Sequence, residues 1–293
     1  TIKKPCYSYR VGIFDKLAKN SAQKFMSSLR LSEIWIYPIK SLSGIHVNEA
    51  VVFNKGLRFD RRWMLMDEHN RFLTQREYPQ MALFQVNLND QQLHILHRKN
   101  SAAIEFPAFA TAGSEHKATI WNDEVTTLEP LPEASAWFSE QLNMSCRLVH
   151  FPETNPRPVD PNYATNQEHV SLADAYPFLV IGQASLDDLN TRLASSVPIK
   201  RFRPNFVFTG GKPYEEDSWK DFSIGEINFT GVKNCARCVL TTVDPETGTK
   251  GKEPLATLSQ YRNMGNKILF GQNAVARTTG TVRVNDPITV YPI

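Results

Sequence analysis

Two cysteines three positions apart, Cys235 and Cys238, are the residues in this chain best suited to chemistry. A Cys-x-x-Cys pair can bind zinc, form a disulfide, act as a redox dithiol, or hold one working thiolate beside a bystander. Structural zinc needs further ligands, but the other cysteines, Cys6 and Cys146, stand alone and the histidines lie far upstream. A redox dithiol sits at a helix N-terminus, whereas the VLTTV that follows the pair is typical of a strand. Zinc and dithiol chemistry are therefore both disfavoured.

The single-thiolate interpretation has two supports. If a strand begins at or before Cys235, side chains three apart point to opposite faces, so only one cysteine can face a given cavity. Arg237 lies between the two, and a nearby cation favours the thiolate, the form that binds metal. The alternative is a pair of buried cysteines that pack as apolar residues. From the residues alone, the pair is a candidate soft-metal or nucleophile site beside an anion site.

The bulk properties indicate an ordinary globular protein. The chain has 293 residues, of which 41% are hydrophobic and 22% charged, and its net charge is +3. This balance is too weakly basic to indicate nucleic-acid binding, although it would suit an anionic small molecule. No run of about 18 apolar residues predicts a membrane span, and no N-terminal apolar core with a cleavage site indicates secretion. With too few cysteines for a disulfide framework, we expect a cytoplasmic protein with reduced thiols.

Composition divides the chain into four parts. Residues 1–30 are basic, show no clear periodicity, and are predicted to be a poorly ordered extension. Residues 31–151 contain many short strand patterns and one helix, PEASAWFSEQL. Residues 152–169 contain four prolines and are predicted to be a linker. Residues 170–293 form the second domain.

Short strands dominate the predicted elements. They include MALFQVNL (81–88) and CVLTTV (238–243), and a hairpin is predicted at the end of the chain in TVRV-NDP-ITVYP (281–292). A helix is predicted to start with a capping box from Ser185 to Asp188. There is no regular βαβ alternation and no glycine-rich phosphate loop. The fold class is therefore α+β and mainly β, built from barrels or sandwiches.

A longer motif surrounds the cysteine pair. It reads C-x-R-C-V-L-T-T-V-D-P-x-T-G from Cys235 to Gly248, and KEPL (252–255) and FGQN (270–273) follow. This motif resembles the MOSC family, most closely the mitochondrial amidoxime-reducing component and the bacterial YcbX-type molybdenum enzymes. Further segments are similar to the family in the same order: IYPIKS (36–41), GLRFDRRW (56–63), DAYPFLVIGQASLDDLN (174–190), FRPN (202–205) and YEEDSW (214–219). The resemblance implies a MOSC β-barrel domain packed with an N-terminal MOSC-associated β-rich domain.

The resemblance also implies a molybdenum cofactor, in which a pterin dithiolene holds the metal and one protein cysteine completes the coordination. The matching position is Cys238, the predicted metal ligand and catalytic residue, while Cys235 matches the non-ligating cysteine. Thiolate is a soft ligand that suits a sulfur-rich metal centre. The cofactor contacts that the resemblance implies are Lys40, Ser41, Arg61, Tyr176, Arg203, Asn205, Arg237 and Asn273.

Several of these contacts have simpler alternatives. The planar fork of arginine suits phosphate and pterin edges, but Arg61 and Lys40 taken singly could be solvated surface charges. Asn205 could be a turn residue or brace a loop, and Tyr176 could belong to the core. The chain also departs from its relatives: Asn273 replaces the aromatic residue of the mitochondrial proteins.

The implied function is the reduction of N-hydroxylated compounds, such as amidoximes, hydroxylamines and N-hydroxy bases, to amidines or amines. Electrons would come from a separate reductase or a ferredoxin-type partner. We expect no iron–sulfur cluster in this chain, because the clustered cysteines found in some YcbX-type relatives do not occur here. The alternative is a sulfur-transfer or cofactor-carrier protein, since MOSC modules also occur in cofactor sulfurases. A pyridoxal-phosphate-binding segment is not apparent, which weakens that alternative.

Overall fold

The computed structural model describes residues 29–163 and 166–292. The predicted basic extension, residues 1–30, thus lies almost wholly outside the described residues. In chain order the strands are β1 Arg30–Ile36, β2 Ile45–Val47, β3 Glu49–Phe53, β4 Gly56–Leu57, β5 Trp63–Met66, β6 Phe84–Asn89, β7 Gln92–His97, β8 Ala103–Pro107, β9 Ser114–Ile120, β10 Asp123–Glu129, β11 Arg147–His150, β12 Phe178–Gly182, β13 Phe206–Thr209, β14 Asp221–Ile224, β15 Ile227–Arg237, β16 Asn263–Met264, β17 Lys267–Ala276, β18 Gly280–Arg283 and β19 Ile288–Val290.

The helices are fewer. The α-helices are α1 Pro132–Leu142, α2 Gln183–Thr191 and α3 Leu255–Tyr261, and the 3-10 helices are Pro79–Leu83, Ile199–Arg201, Glu215–Ser218 and Val239–Thr242. The predicted mainly β fold class is confirmed. Within the described ranges, no helix is long and apolar enough to cross a membrane.

The largest sheet joins the start of the described chain to its C-terminal half. Its strand order is β19-β14-β15-β17-β12-β13-β1-β2, and β16 adds to β17. β1 pairs antiparallel with β13, which in turn lies parallel to β12. Branched and aromatic side chains favour these strands because they pack on a pleated, half-buried surface. On one face Phe178, Phe206 and Phe229 form a buried aromatic cluster.

Three smaller sheets complete the architecture, with orders β5-β11-β10-β9, β6-β7-β8 and β18-β3-β4. A second core packs between the first two of these sheets and α1, around Trp63, Phe84 and Phe138. The helix α1 occupies the predicted residues, with Pro132 in its first turn and Asn143 in a left-handed conformation at its end.

The strand pairings cross the predicted linker. β1 and β2 belong to the large sheet, and β3 pairs with β18 near the end of the chain. The division at residues 152–169 remains a prediction, but the described segments on its two sides share hydrogen-bonded sheets.

Two predictions about the C-terminal elements are wrong. CVLTTV is not a strand, because β15 ends at Arg237 and residues 239–242 form a 3-10 helix capped by Cys238. The final hairpin does not form either: β18 pairs with β3 and β19 pairs with β14. Alternation marks both as half-buried strands but does not say which strand each will pair with.

Two other boundaries also differ from the predictions. MALFQVNL begins as a 3-10 helix after Pro79, and strand β6 starts only at Phe84. The capping box at Ser185 is absent because α2 starts earlier, after Gly182. Ser185 instead lies inside the helix and donates a hydrogen bond to the buried Glu216 carboxylate at 2.9 Å. Since Gly182 N also donates to Glu216, this carboxylate joins the start of α2 to the 3-10 helix Glu215–Ser218.

Candidate cofactor site

A cavity of about 420 Å³, lined by many charged side chains, lies where the two halves of the chain meet. This size is within the range of small-molecule sites, about 300–1,000 Å³. All of the predicted site residues line it: Lys40, Ser41, Arg61, Tyr176, Arg203, Asn205, Arg237, Cys238 and Asn273. The structure therefore brings the predicted set together, while the role of each residue stays a prediction.

Strand ends supply most of these side chains. Lys40 follows β1, and its backbone N–H donates to the carbonyl of Trp63 at 2.7 Å. Arg61 precedes β5, and Arg203 precedes β13. At these three residues the backbone lies outside the strands. Their side chains can therefore point past the edge of the sheet into one shared cavity.

Three of the lining residues have unusual backbone conformations. Ser41, Arg61 and Arg203 have φ angles of 67°, 51° and 56°, in the left-handed region that residues with a Cβ rarely adopt. Such conformations cost about 1–3 kcal/mol each and cluster at functional sites. Their convergence on one cavity supports a binding role beyond packing.

Arg61 and Arg203 both stack on the ring of Tyr37. Each guanidinium carbon lies 4.2 Å from the ring centroid, a favourable cation–π distance. Arg61 also donates to Asp60 at 2.6 Å, and Arg203 donates to the carbonyl of Leu42 at 2.6 Å. Burial, with Arg61 nearby, lowers the pKa of Arg203 to about 10. The stacking holds two like charges side by side at the cavity wall.

The two cysteines lie in the same cavity but have different neighbours. Both sulfurs are free thiols, as is that of Cys146. Arg237 donates to Cys235 Sγ at 3.0 Å, and its second terminal nitrogen donates to the carbonyl of Phe202 at 2.6 Å. The sulfur of Cys238 instead receives a hydrogen bond at 3.2 Å from Arg76 Nε.

Two predictions about the pair are therefore corrected. The cation that contacts Cys238 is Arg76, and Arg237 contacts the other cysteine. Both cysteines face one cavity, contrary to the opposite-face argument. The physical reason is that strand alternation is broken between them. The β15–β17 ladder shifts register between Asn234 and Ala236, and the strand ends before Cys238.

A network that the sequence analysis did not identify lies beside Cys238. Asp174 accepts a hydrogen bond from Lys40 Nζ at 2.5 Å and one from Arg76 Nη2 at 2.6 Å. Asp174 stands in DAYPFLVIG, a segment already similar to the family, so that similarity could have pointed to it. Arg76 is 162 residues from Cys238 in a loop, and no local pattern marks it.

The charges in this network shift one another's pKa values. Burial lowers the pKa of Lys40 to about 8, and Asp174 opposes this effect. Burial alone would raise the pKa of Asp174, but Lys40 and Arg76 hold it well below its usual range. Burial also acts to lower the pKa of Arg76, but Asp174 and Cys238 outweigh it and raise this pKa. Asp174 therefore stays ionised between two cations.

The remaining predicted cofactor contacts, Asn205, Asn273 and Tyr176, differ in the interactions that their side chains already make. Asn205 is buried, donates to the carbonyl of Trp35, and accepts from Leu179 N and Arg61 Nη1. It thus braces three segments, which is the alternative left open for it. Asn273 lies on β17 opposite Leu179. The half-buried ring of Tyr176 packs edge-on against that of Tyr163.

The cavity lining suits an anionic ligand with a soft metal. Seven of its residues are basic, namely Lys40, Arg61, Arg76, Arg203, Lys233, Arg237 and Lys267, against the acidic Asp160 and Asp174. Arg237 Nε is buried without a hydrogen-bond partner in the described part of the chain. There, no three His, Cys, Asp or Glu residues cluster to hold a metal by themselves. A metal at Cys238 would therefore have to bring most of its own ligands, as the metal of a pterin dithiolene does.

Comparison with known proteins agrees with this arrangement. Residues 28–145 match the MOSC N-terminal beta barrel domain, and residues 167–289 match the MOSC domain. Fold and site thus define a two-part MOSC protein.

Proteins that are similar in sequence over most of this chain show to which family of MOSC proteins it belongs. Mitochondrial amidoxime-reducing component 1 of Mus musculus is 37% identical over 276 residues, which cover 88% of this chain and 81% of that protein. The Homo sapiens protein of the same name is 34% identical, with 88% and 82% covered. The molybdenum cofactor sulfurase of Oryza sativa subsp. japonica is 32% identical, but the match covers 33% of it. The chain belongs to the family of the mitochondrial amidoxime-reducing components.

Proposed function

We propose that this protein is a molybdenum-cofactor oxidoreductase that reduces N-hydroxylated compounds, such as amidoximes, hydroxylamines and N-hydroxy bases, to amidines or amines. The observation that carries the proposal is one thiol, Cys238, presented beyond the end of β15 into a cavity lined by cations. Family membership supports the same activity, because the relatives that match along most of their length are named for amidoxime reduction.

The residues present fit such a cofactor. Cys238 would provide the protein ligand to the metal, and thiolate is the ligand type that a sulfur-rich centre accepts. The basic side chains around Lys40, Arg61 and Arg203 would hold the phosphate and the pterin edges through charge-assisted hydrogen bonds. When bound, the cofactor supplies the metal centre at which the N–O bond of the substrate is broken.

The overall reaction sets what the protein has to provide. Breaking the N–O bond of an amidoxime consumes two electrons and two protons and releases the oxygen as water. A separate reductase or ferredoxin-type partner would deliver the electrons. The walls of the cavity would orient the substrate for this reaction. We also propose a cytoplasmic location, on the basis of reduced thiols.

The alternative, a sulfur-transfer or carrier role, has one observation in its favour, namely the match to part of a cofactor sulfurase. A direct assay separates the two functions. Protein expressed in a cofactor-competent host should contain molybdenum and reduce benzamidoxime with a chemical electron donor. Bound molybdenum with no benzamidoxime reduction would favour the carrier role instead.

A further inference from the structure

Arg76 reaches the cavity from the loop before the 3-10 helix Pro79–Leu83, and all three of its guanidinium nitrogens are used. Nε donates to Cys238 Sγ at 3.2 Å, Nη1 to Thr74 Oγ1 at 3.2 Å, and Nη2 to Asp174 Oδ2 at 2.6 Å. Its carbonyl accepts a hydrogen bond from Lys250 Nζ at 3.2 Å. Because both the backbone and the side chain of Arg76 are tied down, the direction of its Nε–H bond is fixed.

The indole ring of Trp121 covers the guanidinium group of Arg76. Trp121 has a φ of 55°, in the left-handed region, and is 49% exposed at the tip of the β9–β10 hairpin. Its ring centroid lies 4.8 Å from the guanidinium carbon of Arg76. The positive φ suits the two-residue turn of this hairpin, and the ring also packs edge-on against Phe72 at 5.2 Å. Held in this way, Trp121 helps to keep Arg76 in place through a cation–π contact.

The backbone of Cys238 is also fixed, so that its side-chain direction is the remaining freedom. The carbonyl of Cys238 accepts hydrogen bonds from Thr241 N and Thr241 Oγ1, at 3.1 and 3.0 Å. The sulfur is half-buried, and Arg76 is its hydrogen-bond donor among the described residues. Arg76 therefore decides where this sulfur points.

We propose that Arg76 is a positioning residue for Cys238, which holds the sulfur toward the cavity and keeps a hydrogen bond to it when a metal is bound. This inference rests on the proposed function, since it concerns the same metal ligand. A hydrogen bond to a metal-bound sulfur withdraws electron density, which makes the metal easier to reduce. Lysine cannot replace Arg76, because a point charge cannot span Cys238, Thr74 and Asp174 as the planar fork does.

The test compares Arg76→Gln and Arg76→Lys with the wild type, all expressed in a cofactor-competent host. We expect Arg76→Gln to lose metal affinity by about 10- to 100-fold, the usual cost of removing an outer partner of a metal ligand. The protein that retains metal should have a more negative midpoint potential, measured by titration monitored with electron paramagnetic resonance. Arg76→Lys should recover part of the metal content without recovering the potential. Because Arg76→Lys keeps the positive charge, a shifted potential in this variant reports the lost hydrogen-bond geometry and not the lost charge.

Arg71→Gln is the matched control, because Arg71 lies in the same region of the chain, is 68% exposed and pairs with Asp67 outside the cavity. It should keep the metal content and potential of the wild type. Wild-type metal content and midpoint potential in Arg76→Gln would overturn the inference.

Failure of the proposed function would be recognised separately. A wild type that binds molybdenum but does not reduce benzamidoxime would refute the function, while the metal content and potential of the Arg76 variants would still decide the inference. A wild type without molybdenum would move the test to crystal structures of metal-free protein. There, Arg76→Gln should release the Cys238 side chain into more than one rotamer, and a single wild-type rotamer would contradict the inference.

Discussion

The two sulfurs of the Cys-x-x-Cys pair are each contacted by a guanidinium from a different part of the chain. Arg237, beside Cys235 in sequence, is anchored to the carbonyl of Phe202, whereas Arg76 reaches Cys238 from a distant loop and is anchored to Asp174. Only the second sulfur is thus linked to the network that includes Lys40. This asymmetry gives the two cysteines different expected roles.

Substitution of the two cysteines should separate these roles. Cys238→Ser should lose bound molybdenum and reduce benzamidoxime more than about 100-fold more slowly, since loss of even an outer partner of a ligand costs about 10- to 100-fold. Cys235→Ser should keep most of both. Metal analysis and a benzamidoxime assay check this expectation. If Cys235→Ser were the variant that lost metal, the ligand assignment would be reversed.

A second residue-scale prediction concerns the buried carboxyl of Glu216. Burial raises its pKa from 4.5 to about 7, although hydrogen bonds from Gly182 N and Ser185 oppose this shift. Between these pH values the folded state keeps a proton that the unfolded chain has released. The contribution of this group to stability therefore falls as the pH rises from about 4.5 to about 7.

Glu216→Gln removes this titration. The free energy of unfolding of the variant, relative to the wild type, should therefore rise between about pH 5 and about pH 7 in urea titrations. Glu226→Gln is the control, because Glu226 is exposed. Parallel pH profiles for the wild type and Glu216→Gln would contradict the prediction.

Family resemblance predicted the residue types of the cavity better than it predicted their contacts. Lys40, Arg61 and Arg203 could be carried over because they stand in short motifs near strand ends. Arg76 could not, because its contact with Cys238 depends on how a distant loop packs. Hydrophobic periodicity predicts which face of an element is buried. It does not predict which loops pack against each other.

Among the elements, β15 contains Cys235 and ends directly before Cys238, so it places the backbone of both cysteines at the cavity. Its ladder with β17 shifts register between Gly231 and Lys233 and again between Asn234 and Ala236. Bulges bend a strand and redirect its side chains. At Gly231, an added Cβ would lie 2.2 Å from the carbonyl oxygen of Trp219, so the strand approaches its neighbour more closely than any side chain permits.

Gly231→Ala should therefore destabilise the protein by about 2 kcal/mol or more, a typical cost of overpacking where the obstacle is backbone. Denaturant unfolding would measure this change. Gly251→Ala is a matched control, because its added Cβ would meet nothing closer than 3.8 Å. Equal stabilities for the two variants would show that the close approach at Gly231 is relieved by a small shift.

Element prediction succeeded where one helix or strand had a strong pattern of its own. The helix α1 was predicted at its observed residues because Ala134, Trp137, Phe138 and Leu142 fall on one face, and all of them except Trp137 are buried. VLTTV has the composition of a strand but forms a 3-10 helix, because the chain must turn at Cys238 to leave the sheet. Tertiary context overrode local propensity there.

At the scale of the whole molecule, two of the sheets pair strands from opposite halves of the described chain. β1 pairs with β13, and β3 pairs with β18. The candidate site lies between these parts, with Lys40 and Arg76 from one half and Asp174 and Cys238 from the other. Neither half alone provides the cavity.

A fragment test follows from this closure. Residues 167–293 produced alone should not unfold cooperatively, because the large sheet would lack β1 and β2 and expose part of its core. Supplying residues 29–166 as a second chain should restore a cooperative transition, followed by circular dichroism. A cooperative transition of the C-terminal fragment alone would show that the large sheet folds without β1 and β2.

The pairing of β3 with β18 also affects biosynthesis. The contact between Glu49 and Arg283 in this pairing spans 234 residues. Contacts of such separation form slowly, because the loop between them must be closed first. During translation, β3 is synthesised long before β18. The pairing therefore cannot form until the residues between the two strands have been translated. The β18-β3-β4 sheet should therefore form only after all residues of the candidate site have been translated.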